Sequence, residues 1–177
     1  MSTDNVNGAE NQQERLEFIG WIVGFTDGEG CFSVSIVKNK TSSIGWQVMP
    51  EFVLTQGEKS LKSLKLVKKF FNCGRIFINR RHDNHKENLY RYCVRSLTDL
   101  EEKIIPFFEQ NQLKTYKKTS FRIWSQAVKL IRQKNLHLHL TGIKRLAEMS
   151  AKINQQKRPK FLESSETIRR PPMKIAR

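Results

Sequence analysis

IGWIVGFTDGEG, at residues 19–30, is the stretch on which the fold turns. Its apolar residues Ile19, Ile22, Val23 and Phe25 follow a helical period, while Gly20, Gly24 and Gly28 recur every fourth residue. Residues four apart lie on one helix face, so a glycine stripe lets another backbone come close. The segment ends in two acids, Asp27 and Glu29, at the end where the helix dipole disfavours negative charge. In a chain of formal net charge +15, that placement points to a cation held by the carboxylates.

Working outward, the helix reaches back to about Glu14, with Leu16 in its stripe, and residues 1–13 read as a polar, disordered lead-in. After Gly30 the period changes from helical to two. Phe32, Val34 and Ile36 alternate with Ser33, Ser35 and Val37, which predicts a strand over 31–39. A turn at NKTSSIG leads to a second strand over about 46–55, with Val48, Phe52 and Leu54 on one side and Gln47, Met49, Glu51 and Val53 on the other. Pro50 inside it marks an edge or an irregularity. Helical spacing returns at 58–71 (Leu61, Leu64, Val67, Phe71) and stops at Asn72-Cys73-Gly74, with Gly74 as the expected left-handed cap. Strands are expected at 75–81 and 89–95, then a helix at 98–108 kinked by Pro106. Helices at 115–134 and 141–156 complete the series. The fold class is therefore α+β, with four antiparallel strands and helices gathered on one face. Residues 14–156 read as a single domain, and 157–177, with seven basic residues and two acids, as a flexible basic tail.

Composition narrows the partner. The chain of 177 residues carries 32 Lys and Arg against 17 Asp and Glu. Such an excess argues for a polyanion. No apolar run approaches the ~20 residues of a membrane span, and the basic residues are interleaved with aromatics rather than lined along an amphipathic helix. Nucleic acid fits better than a membrane surface. Residues 57–82 hold eight basic groups and one acid, Glu58, although part of the basic helix there serves simply as a solvated face. The strand face opposite the apolar one carries Ser33, Ser35, Gln47, Glu51, Arg75, Asn79, Arg81 and Arg91. With Lys38 and Asn39 at the first turn, these are the candidate DNA-binding residues, because hydroxyls, amides and guanidiniums can read base edges from a sheet in the major groove. Cys31, Cys73 and Cys93 form no CxxC pair and no disulfide framework, and His82, His85, His137 and His139 have no metal-site spacing. Trp21, Trp46 and Trp124 read as packing residues. No secretory signal or Arg-rich transit peptide is visible.

The run IVGFTDGEG at 22–30 resembles the LAGLIDADG motif of homing endonucleases and related intron maturases. Val23 stands at the usual small Ala, Thr26 at an aliphatic position, and Glu29 where Asp is commonest. PEFVLTQ at 50–56, FNCGRI at 71–76 and LEEKIIPFFEQNQLKTYKKTSFRIW at 100–124 are similar to further segments of that family, in the same order. The resemblance implies an αββαββα saddle with a DNA-binding sheet and extra C-terminal helices. It implies that Glu29 and the Gly28 carbonyl bind Mg²⁺, or alternatively Mn²⁺, that Gln56 orients water, and that a basic residue before the long helix assists. That residue is Lys117, with Lys114 and Lys118 as competitors. Asp27 falls at a structural position. A single motif implies a homodimer through Gly20, Gly24 and Phe25. The expected activity is site-specific hydrolysis of both strands of a long pseudo-palindromic DNA, leaving 3′ overhangs, in intron homing. The alternatives are a maturase binding the host intron RNA, or a non-catalytic DNA-binding regulator. An organelle or a prokaryotic cytoplasm, rather than secretion, is the expected location.

Overall fold

The computed structural model describes residues 4–79 and 88–154. The motif helix α1 spans Asp4–Glu29 and passes directly into β1, Gly30–Lys38. β2 is Trp46–Gly57, and a 3-10 turn at Glu58–Ser60 leads into α2, Leu61–Phe71. β3 (Arg75–Asn79) and β4 (Leu89–Val94) follow, then α3 (Leu97–Asp99), a π-helical stretch (Leu100–Ile104) and α4 (Ile105–Gln110). The long helix α5 covers Lys117–Lys134, a 3-10 turn covers Leu136–Leu138, and α6 covers Leu140–Asn154. The strands make one four-stranded sheet in the order β1-β2-β4-β3. The α+β architecture read from the sequence is the one observed.

The described residues pack as two compact units, and β2 runs through both. The first contains α1, β2 from Phe52, and the chain from there to Lys118. β4 lies between β2 and β3, antiparallel to each, with Phe52 opposite Val94, Leu54 opposite Tyr92, and Tyr92 opposite Ile76. Phe52, Leu54, Tyr92 and Val94 are buried on one face beneath Leu64, Val67 and Phe71 of α2 and Phe108 of α4. Ile22 and Thr26 of α1 are also fully buried. The second unit contains β1, the hairpin turn, β2 up to Glu51, and α5 and α6. Here Phe32 packs on Phe121 and Trp124, and Ile143 and Ala147 of α6 receive Ile36, Ile44, Trp46 and Val48. Side chains also bond to β1: Trp124 Nε1 donates to the Ser33 carbonyl at 3.1 Å and Ser150 Oγ to the Val34 carbonyl at 2.6 Å.

Several boundaries differ from the sequence reading for physical reasons. α1 begins at Asp4, so residues 4–13, expected as lead-in, are helical. They have no apolar stripe to announce a helix, and Gln13 bonds Glu17 one turn on. The left-handed C-cap of α2 is Asn72 (φ 47°), and Gly74 is a second positive-φ residue (φ 73°). A Cβ on Gly74 would sit 2.7 Å from the Tyr92 ring, which requires glycine there for close approach as well. The kink expected at Pro106 appears as the π-helical stretch just before it. Proline cannot donate to the carbonyl four residues back, and a wider turn relieves its ring. Pro50 lies in an inner strand, but β4 pairs with β2 only from Phe52 onward. Trp124 and Trp46 pack as expected. Trp21 is instead 37% exposed, stacked between Phe18 and Phe25 with centroids 5.3 and 5.2 Å away. Arg81 and the 157–177 tail lie outside the described residues.

Candidate active site

The site is built where α1 ends. Its helical period runs unbroken to Glu29, and β1 starts at the next residue. That abrupt change depends on Gly30, because a Cβ there would come within 2.6 Å of both the Thr26 side chain and its carbonyl oxygen. The turn aims the last helical residues outward: Gly28 and Glu29 are exposed, and Asp27 is half-buried.

The two acids have separate surroundings. Asp27 Oδ2 accepts from the Lys114 N–H at 2.7 Å, and its Oδ1 accepts from the Thr115 hydroxyl at 2.8 Å and the Thr115 N–H at 3.3 Å. Asp27 thus ties the loop before α5 to the motif. Burial pushes its carboxyl up, but the Lys114 and Thr115 hydrogen bonds, with the charge of Lys117, outweigh this and hold it below the ordinary value. Glu29 stays at the surface, near enough for its charge to act on Lys117.

Lys117 is the first residue of α5, and the loop anchored by Asp27 delivers it to the end of α1. Its Nζ donates to the carbonyls of Thr26 at 3.0 Å and Gly28 at 3.2 Å. The helix C-terminus carries no basic residue of its own, so this ammonium offsets the negative end of the dipole. Lys117 thus places a positive charge at this helix end, bonded to backbone carbonyls and not to the carboxylates that the sequence argument invoked. Burial lowers its pKa, with the charges of Asp27, Cys31 and Glu29 opposing. The competitors are elsewhere: Lys114 meets the motif through its backbone, and Lys118 Nζ donates to Gln112 at 2.8 Å. Nothing in the spacing of three nearby lysines marks Lys117; only the loop conformation does.

Gln56 sits near the end of β2, opposite Tyr90, on the face that carries Phe52 and Leu54. The expected metal ligands meet a mixed test. Glu29 offers an exposed hard-oxygen donor, while the Gly28 carbonyl already accepts from Lys117. Among the described residues, no group of three His, Cys, Asp or Glu gathers to hold a metal. One carboxylate fits a Mg²⁺ that keeps most of its waters and takes further oxygens from phosphate, not an all-protein cage.

Among the described residues, nothing covers the glycine face of α1. A Cβ added at Gly20, Gly24 or Gly28 would meet nothing within 4 Å. Phe25 beside it is half-buried.

Of the base-reading candidates, the strand parity groups Ser33 and Ser35 with Gln47 and Glu51, away from the cluster that receives Ile36, Trp46 and Val48. Ser33 Oγ donates to Glu51 Oε1 at 3.5 Å, and Asn39 Nδ2 to Gln47 Oε1 at 3.2 Å. Lys38 is not with them: its ammonium lies 5.9 Å from the Trp46 ring centroid, on the parity of Phe32 and Val34. In the other unit, Arg75, Asn79 and Arg91 share a face, Arg91 lying between Thr55 and Phe77 in register. That face also holds buried Val53 and Cys93 and a 46% exposed Phe77, which the polar pattern did not announce.

Known proteins resemble the chain in both sequence and fold. The family model described as LAGLIDADG endonuclease matches residues 22–128, more than half of the chain. A probable intron-encoded endonuclease of Neurospora crassa is 36% identical over 135 residues, covering 76% of this chain and 28% of the relative. The chain spans 28%, 24% and 32% of the length of three of the curated relatives it matches. The homing endonuclease I-TnaI superposes with a TM-score of 0.72 at 31% identity, covering 85% of this chain and 97% of that one. I-SmaMI, solved on an uncleaved DNA target with calcium ions, also gives 0.72 at 29% identity, covering 82% of this chain and 47% of its own. With the match running from the end of the motif helix through all four strands into α5, the chain belongs to the LAGLIDADG endonuclease family.

Proposed function

We propose that the chain is a site-specific double-strand DNA endonuclease acting in intron homing, with two motif helices meeting along their glycine faces. The observation that carries the reading is the juxtaposition at the end of α1. An open glycine stripe at Gly20, Gly24 and Gly28 leads directly to an exposed Glu29, with Lys117 fastened alongside. Backbones can approach where no Cβ intervenes, so a second copy of α1 would bring a second Glu29 to the same place. Two such acids facing DNA phosphates would give one cleavage centre for each strand, and twofold symmetry implies a pseudo-palindromic target with staggered, 3′-overhanging cuts.

In this arrangement Glu29 is the metal-holding carboxylate, and Mg²⁺ supplies water activation and neutralisation of phosphate charge. Gly28 helps only if Lys117 releases its carbonyl on DNA binding. Lys117, partly desolvated, stabilises charge developing on the phosphate or takes part in proton transfer. Gln56 orients the attacking water. Asp27 holds the loop that presents Lys117. Ser33, Ser35, Gln47, Glu51, Arg75, Asn79 and Arg91 contact the duplex, Asn39 serves beside Gln47, and Arg81 is assigned to the same task from its place in the sequence.

The test is cleavage of the intronless allele of the host gene, with and without Mg²⁺, by the native chain and by Glu29→Gln. Native protein should cut only with a divalent ion, and the variant should be at least about a hundredfold slower while still binding DNA. Equal cutting by Glu29→Gln would overturn the assignment. Native protein that binds the intron RNA and leaves the DNA intact would favour the maturase instead.

A further inference from the structure

The turn between β1 and β2 contains a hydrogen-bond chain whose polarity is set by one backbone group. The Thr41 N–H, which can only donate, bonds Asn39 Oδ1 at 3.0 Å, and Thr41 Oγ1 donates to the same oxygen at 2.7 Å. That fixes the Asn39 amide with its oxygen toward Thr41 and its Nδ2 toward Gln47. An NH₂ group only donates, so the Gln47 amide must face it with Oε1, as it does at 3.2 Å. Gln47 therefore turns its own Nε2 outward. The backbone of the turn holds the chain in place: Asn39 N–H donates to the Gly45 carbonyl at 2.9 Å, and Ser42 N–H to the Asn39 carbonyl at 3.2 Å.

Gln47 is exposed, and its neighbours Trp46 and Val48 pack inward against α6, which directs Gln47 to the opposite face of the sheet. A free glutamine amide presents one donor and one acceptor and pairs with adenine N6 and N7. A glutamine whose oxygen is turned toward Asn39 presents its NH₂ donors on the outward side. Guanine is the base whose major-groove edge carries two acceptors, O6 and N7.

We propose that Asn39, polarised by Thr41, holds Gln47 with its oxygen toward the turn and its NH₂ toward the duplex, so that this position of the DNA target is read as guanine. Asn39 is here a positioning residue acting through Gln47. The inference rests on the proposed DNA-binding role and adds a base identity to it.

The experiment is a binding selection from a randomised duplex library with the full chain, sequencing the bound fraction for native protein and three variants. Native protein should enrich guanine at one position of the site, or one in each half. Gln47→Ala should erase that preference, by about tenfold or more, and leave the other positions as they were. Asn39→Asp presents only acceptors. It should keep its bonds to Thr41, rotate the Gln47 amide and move the preference to a base offering a donor, adenine or cytosine. Thr41→Val keeps the Thr41 N–H position and should leave guanine preferred, which also reports that the turn is intact. Guanine still preferred by Asn39→Asp, or by Gln47→Ala, would overturn the inference alone. Failure of native protein to enrich any sequence would overturn the DNA reading together with it.

Discussion

One face of α1 is sealed and the other is bare, although the same short stretch of sequence makes both. Ile22 and Thr26 are fully buried within their unit. Gly20, Gly24 and Gly28 meet nothing, and Leu16 and Trp21 near them remain 56% and 37% exposed. A helix that only stabilised its own chain would gain from larger residues on the open side, or at least from alanine, since glycine in a helix interior costs about 0.5–1 kcal/mol. The bare face is the one on which the proposed partner helix would sit, and the sealed face holds the helix in its unit.

Substitutions on the two faces should separate accordingly. Ile22→Ala should cost the most, about 2–5 kcal/mol of folding stability, read as a lower denaturation midpoint with unchanged slope. If it is tolerated, the sealed face does not anchor the helix. Gly24→Leu should leave that midpoint within about 1 kcal/mol, because the new side chain enters open space. It should nevertheless weaken self-association about tenfold or more in sedimentation, and unchanged association would remove the glycine face from the interface. Asp27→Asn lies at the junction of the two and should cost about 1–3 kcal/mol, since the Lys114 N–H loses its acceptor. The Asp27 carboxyl titrates lower in the folded chain than its ordinary 3.8, so its contribution is complete above that value and disappears as pH falls through the folded one. The gap between native and Asp27→Asn stability should accordingly be constant near neutrality and close in acid. Gly20→Ala should show the smallest effect, a gain of about 0.5–1 kcal/mol in the isolated chain. A loss there would mean that the face is already occupied.

The same contrast explains what was readable in advance. Alternation in CFSVSIVK and the Leu64, Val67, Phe71 spacing mark a buried side, and burial follows those patterns closely in β1 and α2. The start of α1 was missed because residues 4–13 have no apolar period to display. The choice among Lys114, Lys117 and Lys118 depends on a loop held by Asp27, some 87 residues away in sequence. Lys38 is a base-reading candidate from its place at the first turn, while its parity sets it over Trp46. The direction of the Gln47 amide depends on a single backbone N–H in a turn.

The sequence by itself determined the α+β class, the strand faces and the motif. Those properties follow from local periodicity and from the backbone tolerance of glycine, both of which are written along the chain. Tertiary structure alone decided that Lys117 caps the motif carbonyls, that the glycine stripe faces open space, and that Asn39 orients Gln47. Each of these depends on groups brought together by folding, and a hydrogen bond of about 3 Å exists only after the chain has chosen its path.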